Sequence, residues 1–341
     1  MKYSVIGRDG LRVSKIALGT WSFGSVRAWG ESRLEDLKKV VDYALDNGVN
    51  FIDTAEGYGS SEEILGELLK GYEREDIVLA TKVGGKRFDY ETVKAKLQRS
   101  LERLQTDYVD LYQIHWPKMK HLWHGEDMTE KDYLDIYDSM FRLKEEGLIR
   151  YGGLSNFRLH HLKMFSEEAF KVLVTNQVPY SLVWRFYEVE GVADYCRARG
   201  MLFLAYSPLA QGLLTGRFKP GGKPLYPTQK ANILFNEPVF SKAWRVVEEV
   251  IRVAEELDAK PAQVALRWVL EQDIVASAIV GTRSVEHLRE NIEAVELNIP
   301  RRYLDMLNKA SLEFQSTLPP GLEMWIGNNR PEVLEKIGIK K

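Results

Sequence analysis

The feature of this sequence that most constrains its fold is a regular alternation of short apolar runs with longer helical patterns, repeated eight times. The apolar runs lie at Lys15–Trp21, Val49–Ile52, Ile77–Val83, Tyr108–Ile114, Ile149–Leu154, Val172–Val178, Met201–Tyr206 and Ile274–Val280. Short apolar runs that are each followed by a helical pattern indicate parallel strands buried on both faces. Because eight units are present and no Gly-x-Gly-x-x-Gly loop follows the first run, they favour a closed (β/α)8 TIM barrel over an open doubly wound sheet.

The predicted helices have recognisable starts and ends. The patterns cover Arg33–Asn47, Ser60–Lys70, Glu91–Leu104, Glu130–Glu146, Arg158–Glu168, Glu188–Arg199, Glu237–Leu257, Pro261–Glu271 and Val285–Val295. Gly48 is placed to end the first helix, and Ser60 with Glu63 forms a capping-box pattern at the start of the second. An extra helix after the seventh strand and a tail beyond Arg301 fall outside the eight units.

The first fifteen residues predict a β-hairpin ahead of the barrel. Ser4–Gly7 and Leu11–Ser14 flank Arg8-Asp9-Gly10, and Asp-Gly is a strong turn signal. We expect this hairpin to cap the N-terminal end of the barrel, and the long loops 117–129 and 210–236 to rise from the opposite, catalytic face. Since the chain shows no alignable repeat, low-complexity tract or linker, the sequence predicts one domain spanning residues 1–341.

Composition excludes several classes of protein. Hydrophobic residues make up 45% of the 341 residues and charged residues 28%, so a large folded core is expected. The net charge of −2, without a basic cluster, gives no indication of nucleic-acid binding. Cys196, the single cysteine, lies in a helical pattern and predicts a buried structural thiol in a reducing compartment. No signal peptide or membrane span is predicted, so we expect a soluble cytoplasmic protein.

Four polar residues follow predicted strands, and together they can handle a proton. Asp53 ends the second strand, Tyr58 lies five residues later, Lys82 ends the third strand and His115 follows the fourth. Each alone could be a solitary polar residue at a strand end, but the carboxyl ends of barrel strands open onto one face. A lysine lowers the pKa of a nearby tyrosine, which is ~10 when unperturbed, and an aspartate holds the lysine charged. The set suits protonation of a carbonyl oxygen while a nicotinamide cofactor delivers a hydride.

The sequence resembles the aldo-keto reductases over essentially its whole length. The matching blocks are Asp53-Thr-Ala-Glu-Gly-Tyr58-Gly, Thr81-Lys82, Gln113-Ile-His115, Gly153-Leu-Ser155-Asn156-Phe, Asn176-Gln177-Val-Pro-Tyr, Tyr206-Ser-Pro-Leu-Ala-Gln-Gly-Leu-Leu-Thr-Gly216 and Gly281-Thr-Arg-Ser-Val-Glu-His-Leu-Arg-Glu-Asn291. A single block is a weak signal, but seven in order at predicted strand ends are specific. An aromatic–arginine pair is common before Asp53 in the family, and Val49-Asn-Phe stands there instead, as in the microbial, potassium-channel β-subunit-like branch.

This resemblance implies catalytic roles. Tyr58 would be the general acid, Lys82 would tune its pKa, Asp53 would pair with the lysine, and His115 would orient the substrate. The family is expected to reduce aldehydes and ketones to alcohols. Trp21 and Trp116 would wall the substrate pocket. Trp29, Trp123 and Trp184 also lie near loops after strands, which predicts an aromatic lining, with the alternative that one or two of the five tryptophans only pack.

The resemblance also implies a cofactor site. Matching positions border the cofactor (Gly19, Thr20, Trp21), bind the nicotinamide carboxamide (Ser155, Asn156, Gln177), cover the pyrophosphate (Ser207, Pro208, Leu209, Gln211, Gly212, Leu214, Gly216, with Arg217 as a charge partner) and bind the adenosine end (Gly281, Thr282, Arg283, His287, Glu290, Asn291). Tyr206 would stack on the nicotinamide ring, although a core aromatic is the alternative. Ser284 is a natural cap for a helix N-terminus that favours an anion.

The cofactor and metal expectations rest on a few side chains. His287 stands where some members carry an arginine, so a preference for NADP (as NADPH) over NAD rests on Arg283, a cation able to hold a phosphate. His121-x-x-His124 with Glu126 has superficially metal-like spacing, but a flexible exposed loop is the preferred interpretation, and no metal is expected.

Three functions are compatible with these residues. The first is an NADPH-dependent carbonyl reductase acting on a small molecule, with neither a nucleic-acid nor a membrane partner. The second is a cofactor-binding regulatory subunit with slow turnover, and the third is a barrel without catalysis. Because all four catalytic residues are present, the sequence favours the enzyme. It leaves the physiological substrate, the reaction direction and the oligomeric state open.

Overall fold

The computed structural model describes all residues except Asp9, Trp123, Pro220, Lys340 and Lys341, so the Asp9 turn residue and the Trp123 pocket prediction lie outside the described residues. The strands are β1 (Tyr3–Ile6), β2 (Leu11–Ser14), β3 (Ile16–Gly19), β4 (Phe51–Asp53), β5 (Val78–Val83), β6 (Val109–Ile114), β7 (Ile149–Ser155), β8 (Leu173–Pro179), β9 (Leu202–Tyr206) and β10 (Val275–Gly281). β1 and β2 form the predicted antiparallel hairpin, and β3 to β10 close in chain order into a parallel barrel. The predicted (β/α)8 architecture is confirmed.

Helices pack between and around these strands. They are α1 (Trp21–Gly24), α2 (Val26–Trp29), α3 (Leu34–Asp46), α4 (Ser61–Leu68), α5 (Tyr90–Leu104), α6 (Glu130–Glu145), α7 (Leu159–Leu162), α8 (Phe186–Val189), α9 (Val192–Arg197), α10 (Pro227–Ala231), α11 (Val239–Glu256), α12 (Pro261–Leu270), α13 (Val285–Glu293), α14 (Arg301–Gln315) and α15 (Pro331–Glu335). None of these helices combines the length and apolar character that a bilayer span needs.

Three helix predictions were wrong in detail. The helix expected over 158–168 is the single turn α7, followed by a 3-10 helix at Glu167–Lys171. The helix expected over 188–199 is divided into α8 and α9, because Gly191 has a φ of 79°. The capping box at Ser60 does not form, since the Ser60 side chain makes no capping hydrogen bond.

The interior of the barrel is filled by its own apolar cluster. Strand residues such as Phe51, Leu111 and Leu204 pack there against Ile6 and Val13 of the hairpin. The hairpin therefore closes the N-terminal end of the barrel, as predicted. A second, larger cluster fills the layer between strands and helices. With one end closed, the mouth at the carboxyl ends of the strands is left for chemistry.

Candidate active site

The strand register brings the carboxyl ends of neighbouring strands to one level. Asp53 pairs with Gly19 on one side and Ala80 on the other, and Lys82 pairs with Gln113. Residues from β3 to β6 therefore face a common space at the mouth. The structure places the four predicted catalytic residues, Asp53, Tyr58, Lys82 and His115, in this space.

Lys82 is the centre of the cluster. Its ammonium group donates to Asp53 Oδ2 at 2.6 Å, to the Thr54 carbonyl oxygen at 2.8 Å and to the Tyr58 hydroxyl at 3.1 Å. Both Lys82 and Asp53 are buried. Burial alone would lower the pKa of Lys82, but the Asp53 carboxylate and Tyr58 outweigh it and the pKa is raised. Lys82 is therefore a fixed ammonium group with three acceptors.

The other oxygen of Asp53 is held by two amides. Gln177 Nε2 donates to Asp53 Oδ1 at 2.8 Å, and Gln113 Nε2 lies at 3.3 Å from the same oxygen. Sequence reasoning assigned Gln113 no role, and the available signal was a polar residue inside the buried strand β6. The Gln177 side-chain nitrogen, expected to bind the nicotinamide carboxamide, lies on Asp53 in this structure. A role for Gln177 towards a cofactor stays a prediction.

The pKa of Tyr58 moves in the direction opposite to the sequence-based expectation. Burial raises it above its ordinary value of 10.0, Lys82 acts to lower it, and Asp53 acts to raise it. The net shift is upward because the loss of hydration outweighs the ammonium group. The contribution of Lys82 is therefore to offset the cost of forming a buried tyrosinate, rather than to make Tyr58 a stronger acid than free tyrosine.

His115 lies beside Tyr58, with ring centroids 5.6 Å apart and an interplanar angle of 78°. Burial and the Lys82 charge lower the pKa of His115 to about 3. The imidazole is therefore neutral at physiological pH. A neutral ring offers one N–H donor and one acceptor, which suits it to orient a carbonyl oxygen.

The loop that carries Tyr58 is fixed by close backbone contact with α1. A Cβ on Gly59 would lie 2.3 Å from the Gly24 carbonyl oxygen, and a Cβ on Gly24 would lie 2.5 Å from the Tyr58 carbonyl oxygen. Glu56, in the same loop, accepts from Gly84 N at 2.8 Å and from Lys96 Nζ at 2.9 Å. The backbone contact with α1 and the hydrogen bonds of Glu56 together hold Tyr58 next to Lys82.

Aromatic side chains wall the mouth. The Trp21 ring lies 5.9 Å from Tyr58, 5.4 Å from Trp29 and 5.7 Å from Trp325, centroid to centroid. Trp325 belongs to the C-terminal tail, where no periodicity signalled its position. Trp184 is one of the tryptophans that pack instead of lining the pocket, because its side chain is buried in the core.

Trp116 is half-buried directly after His115. Gly19 and Thr20 are buried at the end of β3.

The residues predicted for the nicotinamide end lie together. Asn156 Nδ2 donates to the His115 carbonyl oxygen and to Ser155 Oγ, both at 3.0 Å, and the Tyr206 hydroxyl donates to Asn156 Oδ1 at 2.9 Å. Tyr206 is half-buried, so its ring is not a wholly enclosed core aromatic. These contacts tie the ends of β7 and β9 to the backbone of His115.

The loop after β9 has an unusual backbone that suits an anion. Ser207, Gln211 and Gly212 have φ values of 50°, 53° and 93°. The Gln211 side-chain nitrogen is buried and has no acceptor among the described residues. A buried donor without a partner is costly, so it fits a ligand that supplies an acceptor, such as a phosphate. The rest of the loop (Pro208, Leu209, Leu214 and Gly216) is buried or half-buried, and Arg217 is exposed.

The row of predicted site residues that runs from the Lys82 cluster through the loop after β9 to α13 is called the groove, and Arg283 lies just before α13. Its Nη1 donates to the carbonyl oxygens of Gly30 at 3.3 Å and Glu31 at 3.1 Å and to Ser32 Oγ at 3.1 Å, and its Nη2 lies 3.4 Å from the Tyr226 hydroxyl. Its Nε has no partner among the described residues. One edge of the guanidinium is thus anchored, and the Nε edge stays available to an anion.

The other residues predicted for the adenosine end surround the start of α13. Ser284 caps the helix as expected, its side chain accepting from His287 N. Gly281 and His287 are exposed, Glu290 is half-buried, and Thr282 and Asn291 are buried. The His287 ring therefore does not belong to the packed part of the groove.

The loop 117–129 was predicted to be flexible and exposed; many of its described residues are exposed, but Lys118 and His124 are buried. Lys118 is buried and pairs with Glu126 at 3.0 Å and Asp132 at 2.8 Å. His124 is buried as well, whereas His121 is exposed and contacts the Asn328 carbonyl oxygen. No group of three His, Cys, Asp or Glu side chains suited to a metal occurs in the part of the chain that the structure describes.

Comparison with known proteins identifies a family model and several relatives that match this chain. The sequence model described as the Aldo/keto reductase family matches residues 15–311. The chain is 35% identical to the uncharacterized oxidoreductase YrpG of Bacillus subtilis (90% of this chain, 95% of that protein) and 32% identical to protein tas of Escherichia coli (88% and 94%). It is 30% identical to the NADH-specific methylglyoxal reductase of Escherichia coli (88% and 95%).

A solved structure shows the same relationship in three dimensions. The thermostable aldo-keto reductase Tm1743, determined with the inhibitor epalrestat, superposes with a TM-score of 0.71 at 30% identity, covering 91% of this chain and 100% of that one. Enzymes of this family are oxidoreductases that use nicotinamide cofactors. The family model, the relatives and the closed barrel agree, and this chain belongs to the aldo-keto reductase family.

Proposed function

We propose that this chain is an NADPH-dependent reductase of aldehydes and ketones in which Tyr58 is the general acid. The observation that carries the proposal is the position of the Lys82 ammonium group, 2.6 Å from Asp53 Oδ2 and 3.1 Å from the Tyr58 hydroxyl. This geometry couples a proton donor to a buried cation and a buried anion. The part of the chain that the structure describes holds no second cluster of this composition at the mouth.

The proton step follows from the cluster. A carbonyl oxygen gains negative charge during reduction, and Tyr58 gives it a proton through the phenol hydroxyl. The tyrosinate that remains is stabilised by Lys82, whose own charge is held by Asp53. Because the cluster is already hydrogen-bonded, little reorganisation accompanies the charge transfer.

His115 orients the carbonyl in this proposal. Because burial and the Lys82 charge lower its pKa to about 3, the neutral ring acts through a hydrogen bond rather than as the proton donor. Its position edge-on to Tyr58 lets both groups reach one oxygen atom. Trp21 and Trp116 border the substrate on either side.

The residues of the groove fit a nicotinamide cofactor, which when bound supplies the hydride for the carbonyl carbon. Ser155, Asn156 and Tyr206 would hold the nicotinamide end. The unpartnered Gln211 nitrogen and the loop around Gly212 would hold the pyrophosphate. Gly281, Thr282 and Asn291 would hold the adenosine end, with Arg283 at a 2′-phosphate.

The preference for NADPH rests on the free edge of Arg283. A guanidinium grips a phosphate through charge-assisted hydrogen bonds, whereas NADH presents only a hydroxyl there. The NADH-specific methylglyoxal reductase of Escherichia coli shows that relatives differ in this property. A direct measurement of both cofactors is therefore the first test.

The experiment is a panel of carbonyl compounds, including methylglyoxal, run with NADPH and NADH and in both reaction directions. We expect steady turnover of several aldehydes, with a higher kcat/KM for NADPH. A protein that binds NADPH but reduces aldehydes only very slowly would instead be a regulatory subunit. Equal or better use of NADH would contradict the assignment of Arg283.

A further inference from the structure

The C-terminal segment 322–329 crosses the mouth of the barrel. Its Met324 carbonyl oxygen accepts from Ile233 N at 2.9 Å, on the side of the loop after β9. Its Asn328 carbonyl oxygen lies 2.9 Å from His121 Nε2, on the side of the loop after β6. The segment is therefore attached to two loops that emerge from the catalytic face.

Arg158, just after β7, holds the start of this segment. Its Nε and Nη2 lie 3.0 Å and 2.9 Å from Glu323 Oε1, and its Nη2 donates to the Leu322 carbonyl oxygen at 2.7 Å. Its Nη1 donates to Glu190 at 2.7 Å. All three guanidinium nitrogens are engaged, and the side chain is 11% exposed.

Glu323 is a buried carboxylate that the proton step does not use. Burial raises its pKa, while the Arg158 charge acts to lower it. The Asn329 side chain accepts from Glu323 N at 2.8 Å and donates to the carbonyl oxygens of Glu323 and Trp325, both at 2.8 Å. A buried ion pair adds little net stability, so a positional role accounts better for this arrangement.

The residue that this turn presents is Trp325. Its ring lies edge-on to Trp21 at 5.7 Å, and Trp21 lies 5.9 Å from Tyr58. Burial raises the pKa of Tyr206 well above its ordinary value, and the nearby Trp325 side chain acts to lower it. The Trp325 indole therefore lies between Trp21, which is beside the proposed acid, and Tyr206, which is proposed to stack on the nicotinamide.

We propose that Arg158, acting through Glu323 and the Leu322 carbonyl oxygen, is a positioning residue that fixes Trp325 at the mouth, where the indole limits the size of the carbonyl substrate. This inference rests on the proposed carbonyl reduction. Arg158 does not touch the reacting atoms. Its effect reaches substrate only through Trp325, and this is the property that a test must isolate.

The test is a double-mutant cycle on substrate selectivity, the ratio of kcat/KM for naphthaldehyde to that for propanal. Trp325→Ala opens the wall and should raise the ratio about tenfold or more, the scale of size discrimination by an apolar pocket. Arg158→Met should raise it by a smaller factor. The double variant should match Trp325→Ala alone, because the guanidinium has then nothing left to position.

Two further variants keep the test decisive. Glu323→Gln preserves the shape of the side chain and should also raise the selectivity ratio, so it replaces Arg158→Met in the cycle if that variant does not fold. Arg158→Lys should give a ratio between those of wild type and Arg158→Met. Arg74→Lys is the matched control, since Arg74 pairs with buried Asp110 at the closed end of the barrel. It should leave the ratio unchanged.

The outcomes separate the two proposals. A wild-type protein that reduces neither aldehyde would refute the proposed function and this inference with it. A wild-type protein that reduces both, with factors that multiply in the double variant or with no change in Trp325→Ala, would refute the inference alone.

Discussion

Two cations occupy opposite ends of the groove, and they are held by different means. Lys82, on β5, is buried and has three acceptors, all from the end of the neighbouring strand β4 and the loop that follows it. Arg283 is half-exposed, and its acceptors come from loops more than 50 residues away in sequence: Gly30, Glu31, Ser32 and Tyr226. The number of contacts is similar at the two ends, but Lys82 is enclosed by protein whereas Arg283 is partly exposed to solvent.

This difference in exposure indicates that turnover and cofactor affinity depend on different ends of the groove. A buried charge with fixed partners contributes strongly and is screened little by salt, whereas a half-exposed one contributes less and is screened more. We therefore expect large effects on turnover from the Lys82 end and smaller effects on cofactor affinity from the Arg283 end. Each of the following variants tests whether the two ends are independent.

The largest expected effect belongs to Tyr58→Phe. Removal of the hydroxyl abolishes the proton transfer, and general acid catalysis contributes typically ~10²–10⁴-fold to the rate. Turnover should fall by that factor, while NADPH affinity, measured by quenching of tryptophan fluorescence, stays the same. Tyr72→Phe is a control, because that phenol bonds Asp42 away from the mouth. Activity within a factor of two of wild type would remove Tyr58 from the mechanism.

Lys82→Met should slow turnover severely and also destabilise the fold. Without the ammonium group the pKa of Tyr58 rises further. In alcohol oxidation tyrosinate is the base, so the limb of the pH–rate profile that rises as Tyr58 loses its proton should move to higher pH. Buried Asp53 would lose its cation, a change that costs about 3–5 kcal/mol in unfolding free energy.

A double variant separates these two effects of Lys82. Lys82→Met with Asp53→Asn removes both charges, so much of the unfolding free energy should return while turnover stays low. Chemical denaturation and steady-state rates measure the two quantities. Retained turnover with an unmoved pH profile in Lys82→Met would show that Tyr58 acts without its neighbour.

The Lys82 end could be predicted from sequence because its geometry is local. Asp53 and Lys82 end consecutive apolar runs, and consecutive strands of a barrel are neighbours. The direction of the Tyr58 pKa shift could not be predicted in this way. It depends on how far burial outweighs the lysine, and burial is known only once the chain has folded.

The parts that could not be predicted depend on contacts between distant segments. Arg158 and Glu323 are separated by 165 residues, and nothing in the local sequence of either indicates the other. Trp325 is held at the mouth by that contact together with those to Ile233, His121 and Asn329, and its segment shows no strand or helix periodicity. The break at Gly191 was visible as a glycine within a helical pattern, but its positive φ required the structure.

Arg283→Ala tests the other end of the groove. Loss of a charge-assisted contact costs ~1.5–3 kcal/mol, which is roughly a ten- to hundredfold weakening of NADPH binding. NADH affinity and the turnover of saturated enzyme should stay nearly unchanged. Because Arg283 is half-exposed, the effect should shrink as salt is raised. Arg289→Ala, an exposed cation on α13 paired with Glu293, is the matched control. Equal weakening of the two cofactors would place the phosphate elsewhere.

The smallest effect concerns the anchor of Arg283. Ser32 Oγ accepts from Nη1 at 3.1 Å, the same nitrogen that binds the carbonyl oxygens of Gly30 and Glu31. If this anchor holds the Nε edge ready for a phosphate, Ser32→Ala should weaken NADPH binding about twofold to fivefold, within the net worth of one hydrogen bond. Ser25→Ala, at the junction of α1 and α2 and not among the partners of Arg283, should change nothing.

The sign of the Ser32→Ala effect decides how the Arg283 end works. Tighter binding of NADPH would mean that the loop competes with the phosphate for the guanidinium, so that the cofactor must displace these contacts. Weaker binding means that the loop prepares the guanidinium, as Asp53 prepares Lys82. Titration of both cofactors at two salt concentrations distinguishes the cases, because NADH, which lacks the phosphate, should respond to neither variant.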